Sequence, residues 1–191
     1  APAAQLVNEY GWNWTWRDGQ PSKLTVKPYR YYLGENSTSE QNLALQAYWL
    51  QLETEWLRSD RKNAGVLAFC YLTNNYGYTG DWFLGNVKDQ TPSPTLGWLK
   101  HAFAPTAVFI NLTDERYTKF IAPHRPGSTV PLQLVGVNDL HDPVKGKLSL
   151  KLYDAQGRSV WQRDQSIELV SYERTTVPVN MQLPRRSGGY T

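Results

Sequence analysis

The chain has 191 residues, 40% hydrophobic and 19% charged, with a net charge of +3. That balance excludes a disordered chain, and the scattered Lys and Arg exclude the basic stripe of a nucleic-acid binder. No apolar run reaches the length of a bilayer span, and one cysteine, Cys70, leaves no internal disulfide and no cysteine-based metal cluster. The outlier is aromatic content, with eight Trp and twelve Tyr against five Phe. Trp and Tyr join a flat apolar face to a polar edge. Such residues suit the C–H face and hydroxyl rim of a sugar, and they equally suit an aromatic-rich core.

The first predicted element is a short strand over "AQLVNEYG", ended by a turn at Gly11. Residues 12–34 read as a long irregular connection. They hold Arg17-Asp18-Gly19, Pro21 and Pro28, all turn or breaker signals. Long ordered loops are usually functional. A helix follows in "STSEQNLALQAYWLQLETEWLRSD", opened by a capping box from Ser37 to Glu40. Leu45, Tyr48, Trp49, Leu52 and Trp56 fall at the spacing of one buried face. The continuous apolar run from Ala64 to Leu72 predicts a strand covered on both faces, as in a parallel sheet. After a glycine-rich loop, Ser93 caps a helix with Pro94 at its first position. Lys100 and His101 sit in its last turn and Pro105 stops it.

Residues 5–104 therefore read strand, loop, helix, strand, loop, helix, which implies a parallel sheet flanked by helices. Both long loops follow strands. Functional loops of β/α barrels sit at the carboxyl ends of strands, so Glu9 and the segment after Leu72 are expected on one face. Beyond Ala104 the pattern changes to short alternating strands: "TAVFINLTDERYTKF", "VPLQLVGVND", "GKLSLKLYDAQGRSVWQRDQSIEL" and "ERTTVPVNMQL". A hairpin is predicted around Ala155-Gln156-Gly157. This half reads as an immunoglobulin-like β-sandwich with no obvious closing strand at "SGGYT".

Taken in order, these stretches resemble the family 2 glycoside hydrolases. "NEYG" is similar to the family's nucleophile motif at the end of barrel strand seven, and "GVLAFCYLTNN" to strand eight. "KDQTPSPTLGWLKHAFAP" resembles the last barrel helix, and the stretch from "AVFINLTDERY" to "KLYDAQGR" the sandwich that follows. The resemblance implies α/β plus all-β architecture. Residues 1–105 would be the last two units of a (β/α)8 barrel, and residues 106–191 a sandwich, with the chain incomplete at both ends. It implies a retaining hydrolase with Glu9 as nucleophile. The acid/base glutamate would lie upstream, in the remainder of the same enzyme. Retaining glycosidases need two carboxyl groups roughly 5–5.5 Å apart, one attacking the anomeric carbon and one protonating the leaving oxygen.

Tyr71 falls where the family often has a tryptophan beneath the sugar, a departure from the pattern. Asn74, Asn75, Asp81 and Trp82 follow on the same loop, within reach of sugar hydroxyls. Of Trp12, Trp14 and Trp16, one or two line the pocket and the rest seal the loop; Trp12 and Trp16 are the chosen contacts. Strand alternation sends Asn8 and Tyr10 to the side opposite Glu9. The expected partners are a carbohydrate and the upstream barrel, with no nucleic acid, no membrane, no cofactor and no metal. The expected location is secreted or periplasmic. Two other readings stand beside this one. The first is a non-catalytic carbohydrate-binding or scaffold protein on the same fold. The second is an unrelated α/β domain in which Glu9 is a paired structural carboxylate.

Overall fold

The computed structural model describes residues 3–74, 82–110 and 124–191. The chain divides into two compact units, Ala1–Ala104 and Pro105–Thr191.

In the first unit, strands β1 (Gln5–Tyr10) and β2 (Asn63–Ala68) pair in parallel. The ladder matches Val7 with Val66 and Tyr10 with Ala68. Three steps along β1 thus face two along β2, a β-bulge at Asn8–Glu9. β2 is shorter than the apolar run predicts. Past Ala68 the chain leaves the ladder, and the carbonyl of Tyr71 accepts instead from the Trp82 N–H. Full coverage of this sheet does not hold either, because Leu6 and Leu67 are exposed.

Helix α1 (Val26–Leu33) lies inside the stretch expected to be irregular. Pro28 is in its first turn, where backbone N–H groups have no intrahelical partner, so a proline costs the helix no bond. Helix α2 (Ser39–Ser59) is capped one residue later than predicted, by a box between Thr38 and Gln41. Its buried face is also different. It consists of Asn42, Leu43, Gln46, Ala47, Leu50, Thr54 and Arg58, whereas Tyr48 and Trp56 are exposed. Strands β3 (Phe83–Leu84) and β4 (Thr91–Pro92) form a small antiparallel pair around a 3-10 turn at Val87–Asp89. Helix α3 (Pro94–Ala102) follows with Pro94 at its start and Lys100 and His101 in its last turn. Ser93 holds the cap position, but its hydroxyl makes no capping bond. Leu50, Trp82, Phe83, Leu99 and Ala102 form the core of this unit. Arg58 of α2 donates to the carbonyls of Ala102 and, at 2.9 Å, Ala104, locking the end of α3.

The second unit is all β. Strands β5 (Thr106–Ile110), β6 (Thr129–Asn138) and β9 (Arg174–Gln182) make one antiparallel sheet, in the order β5-β6-β9. Strands β7 (Val144–Tyr153) and β8 (Ser159–Leu169) make the second, a hairpin turning at Ala155-Gln156-Gly157. Residues 111–120 of the first stretch read as a strand lie outside the described residues. Leu134, Val177 and Val179 of one sheet pack with Leu148, Leu150, Trp161 and Ile167 of the other. These alternate positions face inward, and their union is the core of an immunoglobulin-like sandwich. The tail does engage the sheet: Tyr153 and Thr191 exchange backbone bonds of 2.7 and 3.0 Å.

Asn138, fully buried at the end of β6, ties this unit's connections together. Its Nδ2 donates to the carbonyls of Asp142 at 2.8 Å and Leu169 at 3.1 Å, and its Oδ1 accepts from the Leu140 N–H at 3.0 Å.

Candidate active site

Glu9 sits at the carboxyl end of β1, inside the bulge, and its side chain is exposed. The bulge changes the alternation expected from sequence. Val7 and Tyr10 pair with residues two apart on β2, so they share a face although they are three apart on β1. Bulges re-aim side chains in this way. Tyr10 turns inward and is buried. Its hydroxyl lies 2.5 Å from Thr54 Oγ1, which itself donates to the Leu50 carbonyl at 2.6 Å. Thr54 has one proton, so Tyr10 must be the donor between them. Burial pushes the Tyr10 phenol up to about 12, with a smaller upward push from Glu53. The strand end beside Glu9 is thereby anchored to α2.

Gly11 follows at φ +90°, and a Cβ there would meet Leu50 at 2.3 Å. Only glycine suits that close approach. The aromatic loop then runs along α2 and is fixed to it, and to α1, by buried and partly buried polar bonds. Asn13 donates to Glu53 at 2.8 Å, and Thr15 to Gln46 Oε1 at 3.0 Å. Asn42 donates to the Gly19 carbonyl at 3.0 Å, and the Tyr29 hydroxyl to the Asn13 carbonyl at 2.8 Å. Burial raises the Glu53 carboxyl, opposed by the bond from Asn13. These bonds account for two of the polar residues on the buried face of α2, since Asn42 and Gln46 serve the loop, while Thr54 serves Tyr10 of β1 and Arg58 the end of α3.

The tryptophans divide accordingly. Trp14 is buried, tilted against Phe69 at 6.2 Å. Trp12 is 56% exposed and stacks on Trp14 with ring centroids 5.4 Å apart and planes within 18°. Trp16 is half-buried in a tight turn, where its N–H donates to the Gln20 carbonyl at 2.7 Å. Trp12 thus offers a ring face backed by a second indole.

The loop after β2 starts at the same end of the sheet. Tyr71 is exposed and meets Trp82 and Phe83 edge to face, each at 5.4 Å. Asn74 is exposed. Trp82, expected among the sugar contacts, is buried in the core with Leu50 and Leu99, where it meets the Tyr71 ring edge to face. Asn75 and Asp81 lie outside the described residues.

Arg17 is a residue that the motif reading passed over as a turn signal. Its side chain is 7% exposed. Its guanidinium donates to the Thr73 carbonyl at 3.2 Å and the Gly85 carbonyl at 3.4 Å, while its own carbonyl accepts from the Gly85 N–H at 3.4 Å. A basic residue in a tight turn directly after the last of three alternating tryptophans was the signal available in sequence.

In the second unit, residues 131–179 match the family model of the Mannosidase Ig/CBM-like domain. The matched stretch runs from β6 through the β7–β8 hairpin into β9. This unit is similar to an immunoglobulin-like domain associated with glycosidases. No curated protein matches the chain. Among the described residues no group of three or more His, Cys, Asp or Glu is arranged to hold a metal ion.

Proposed function

We propose that this chain supplies the nucleophile end of a retaining glycoside hydrolase. Glu9 attacks the anomeric carbon, and the chain forms the C-terminal portion of a (β/α)8 enzyme with its following sandwich. The observation that carries the reading is the position of Glu9. It lies at the carboxyl end of one of two parallel strands, re-aimed by a bulge, at the end where two aromatic-bearing loops emerge. Ligand sites of β/α folds occupy that end. The glycosidase-associated likeness of the second unit supports it from independent residues.

The chemistry assigns roles to the groups described. An exposed carboxylate on an anchored strand end can form a glycosyl-enzyme. Trp12 and Tyr71 present ring faces and edges for the C–H face of a sugar, and Trp16 and Asn74 belong to the same two loops. None of the other described glutamates of the first unit lies at a strand end: Glu35 pairs with Arg30 at 3.0 Å, and Glu40, Glu53 and Glu55 lie on α2. Glu53 accepts from Asn13 behind the loop, and Glu55 accepts from Gln51 at 2.6 Å along α2. The proton donor belongs to upstream barrel strands, whose side chains would also cover Leu6 and Leu67. A carbohydrate-binding protein without hydrolysis would share these surfaces and lack that donor.

The test is Glu9→Gln in the complete enzyme. The amide is nearly isosteric but a poor nucleophile, so kcat should fall about 10³-fold or more, roughly 4 kcal/mol of barrier. A fluorosugar inactivator should label Glu9. Near-normal turnover of the variant, or labelling of another carboxylate, would overturn the assignment. A protein that binds sugar with no turnover in either form supports the binding reading instead.

A further inference from the structure

We propose that Arg17 is a positioning residue that makes the two aromatic loops one rigid sugar-facing surface. The inference deepens the glycosidase reading and rests on it.

Three segments meet at the Arg17 side chain. Its own turn belongs to the loop after Glu9, which carries Trp12 and Trp16. Thr73 belongs to the loop after β2, two residues beyond Tyr71. Gly85 directly follows β3, close in sequence to Trp82 and Phe83, which the Tyr71 ring meets edge to face. The first loop is fastened to α2 by Thr15–Gln46 and Asn42–Gly19, and the hairpin is packed into the core through Phe83. Tyr71 belongs to the loop after β2, and its exposed ring meets Trp82 and Phe83 edge to face. The guanidinium fork reaches both carbonyls at once because its donors diverge in one plane. A lysine ammonium on a flexible stem has no such fork. Stacking on a sugar face depends on where the rings sit, and the fork ties together the two loops that carry them.

This arrangement predicts where a defect appears. Arg17 does not touch Glu9 in the hydrogen-bond pattern described, so its loss should blur the binding surface more than the bond-making step. In the complete enzyme, Arg17→Met should raise KM for an aryl glycoside about tenfold while kcat changes less than about threefold. Amide hydrogen exchange in residues 12–20 and 71–74 should quicken together in the same variant, whatever the substrate. Arg17→Lys should keep the fold and show the same pattern more weakly.

The outcomes separate. If the unmodified enzyme neither cleaves aryl glycosides nor changes its tryptophan fluorescence with sugar, the glycosidase reading fails and the proposal fails with it. If the unmodified enzyme is active but both variants keep its KM and differ only in melting temperature, Arg17 is structural and the positioning proposal alone is overturned. Faster exchange in one loop without the other also overturns it. Should Arg17→Met fail to fold, Arg17→Lys carries the same KM and exchange criteria.

Discussion

Replacing Asn138 by leucine keeps the branched shape of the side chain and removes all its hydrogen bonds. Three are lost: to the Leu169 carbonyl, to the Asp142 carbonyl and from the Leu140 N–H. The bond to Leu169 is buried, so that carbonyl loses its partner with no water to replace it, at about 1–3 kcal/mol. The other two are partly buried, where water restores much of the loss, and each costs about 0.5 kcal/mol. The sum is about 2–4 kcal/mol, a large share of the stability of a unit this small. The methyl groups of leucine also face polar atoms, which adds to the cost rather than relieving it. Because the chain has two compact units, a single melting curve would mix their responses. Hydrogen exchange resolves them. Peptides covering 129–138 and 159–169 should exchange about 30- to 1000-fold faster in Asn138→Leu, while peptides of α2 and α3 stay at the wild-type rate. Acceleration of less than about threefold in the sandwich peptides would refute the reasoning, because it would mean that these carbonyls find partners at no cost.

The stacked indoles predict a split between binding and stability. Trp12→Ala should leave the melting temperature nearly unchanged and raise KM several-fold, whereas Trp14→Ala should destabilise the first unit by about 3–5 kcal/mol as a buried large-to-small change; equal effects in the two variants would contradict the burial difference. High pH should weaken the first unit through Tyr10, whose folded value of about 12 exceeds its ordinary 10. The neutral phenol is the form the fold favours, so this contribution is intact below pH 10 and is lost as pH rises toward 12. Urea titrations from pH 9 to 12 should show that decline, and Tyr10→Phe should flatten it; Tyr29, also raised by burial, leaves part of the slope in place.

Local signals were legible in the sequence where the partner is also local. The strand before Glu9, the start and end of α3, and the β7–β8 hairpin all depend on residues within a few positions of each other. The buried face of α2 was not legible. Hydrophobic spacing selects the row containing Tyr48, Leu52 and Trp56, yet the row turned inward contains Asn42, Gln46, Thr54 and Arg58. Each of these is bonded to a segment far along the chain: Gly19, Thr15, Tyr10 and the end of α3. A polar residue reads as solvent-facing until its distant partner is known. The same reason hid Arg17. Pro28 misled in a different way, because a breaker signal says nothing about which turn of a helix it occupies. The exposed position of Glu9 and the edge-on pose of Tyr71 depend on the packing of distant segments. The bulge that aims Glu9 is a difference in residue number between two strands, which no single strand's sequence displays.

That difference in number has a consequence for how the chain tolerates change. Asn8 and Glu9 together stand opposite Leu67 alone, between the Val7–Val66 and Tyr10–Ala68 pairs. A substitution at Asn8 alters chemistry and leaves this count as it is. Deleting Asn8 would preserve both flanking pairs and the hydroxyl anchor of Tyr10, and would leave Glu9 in plain register across from Leu67. The carboxylate would then take its direction from the pleat. Chain length between Val7 and Tyr10 is therefore a determinant in its own right: a one-residue deletion here would change the direction of Glu9 while both flanking pairs survive.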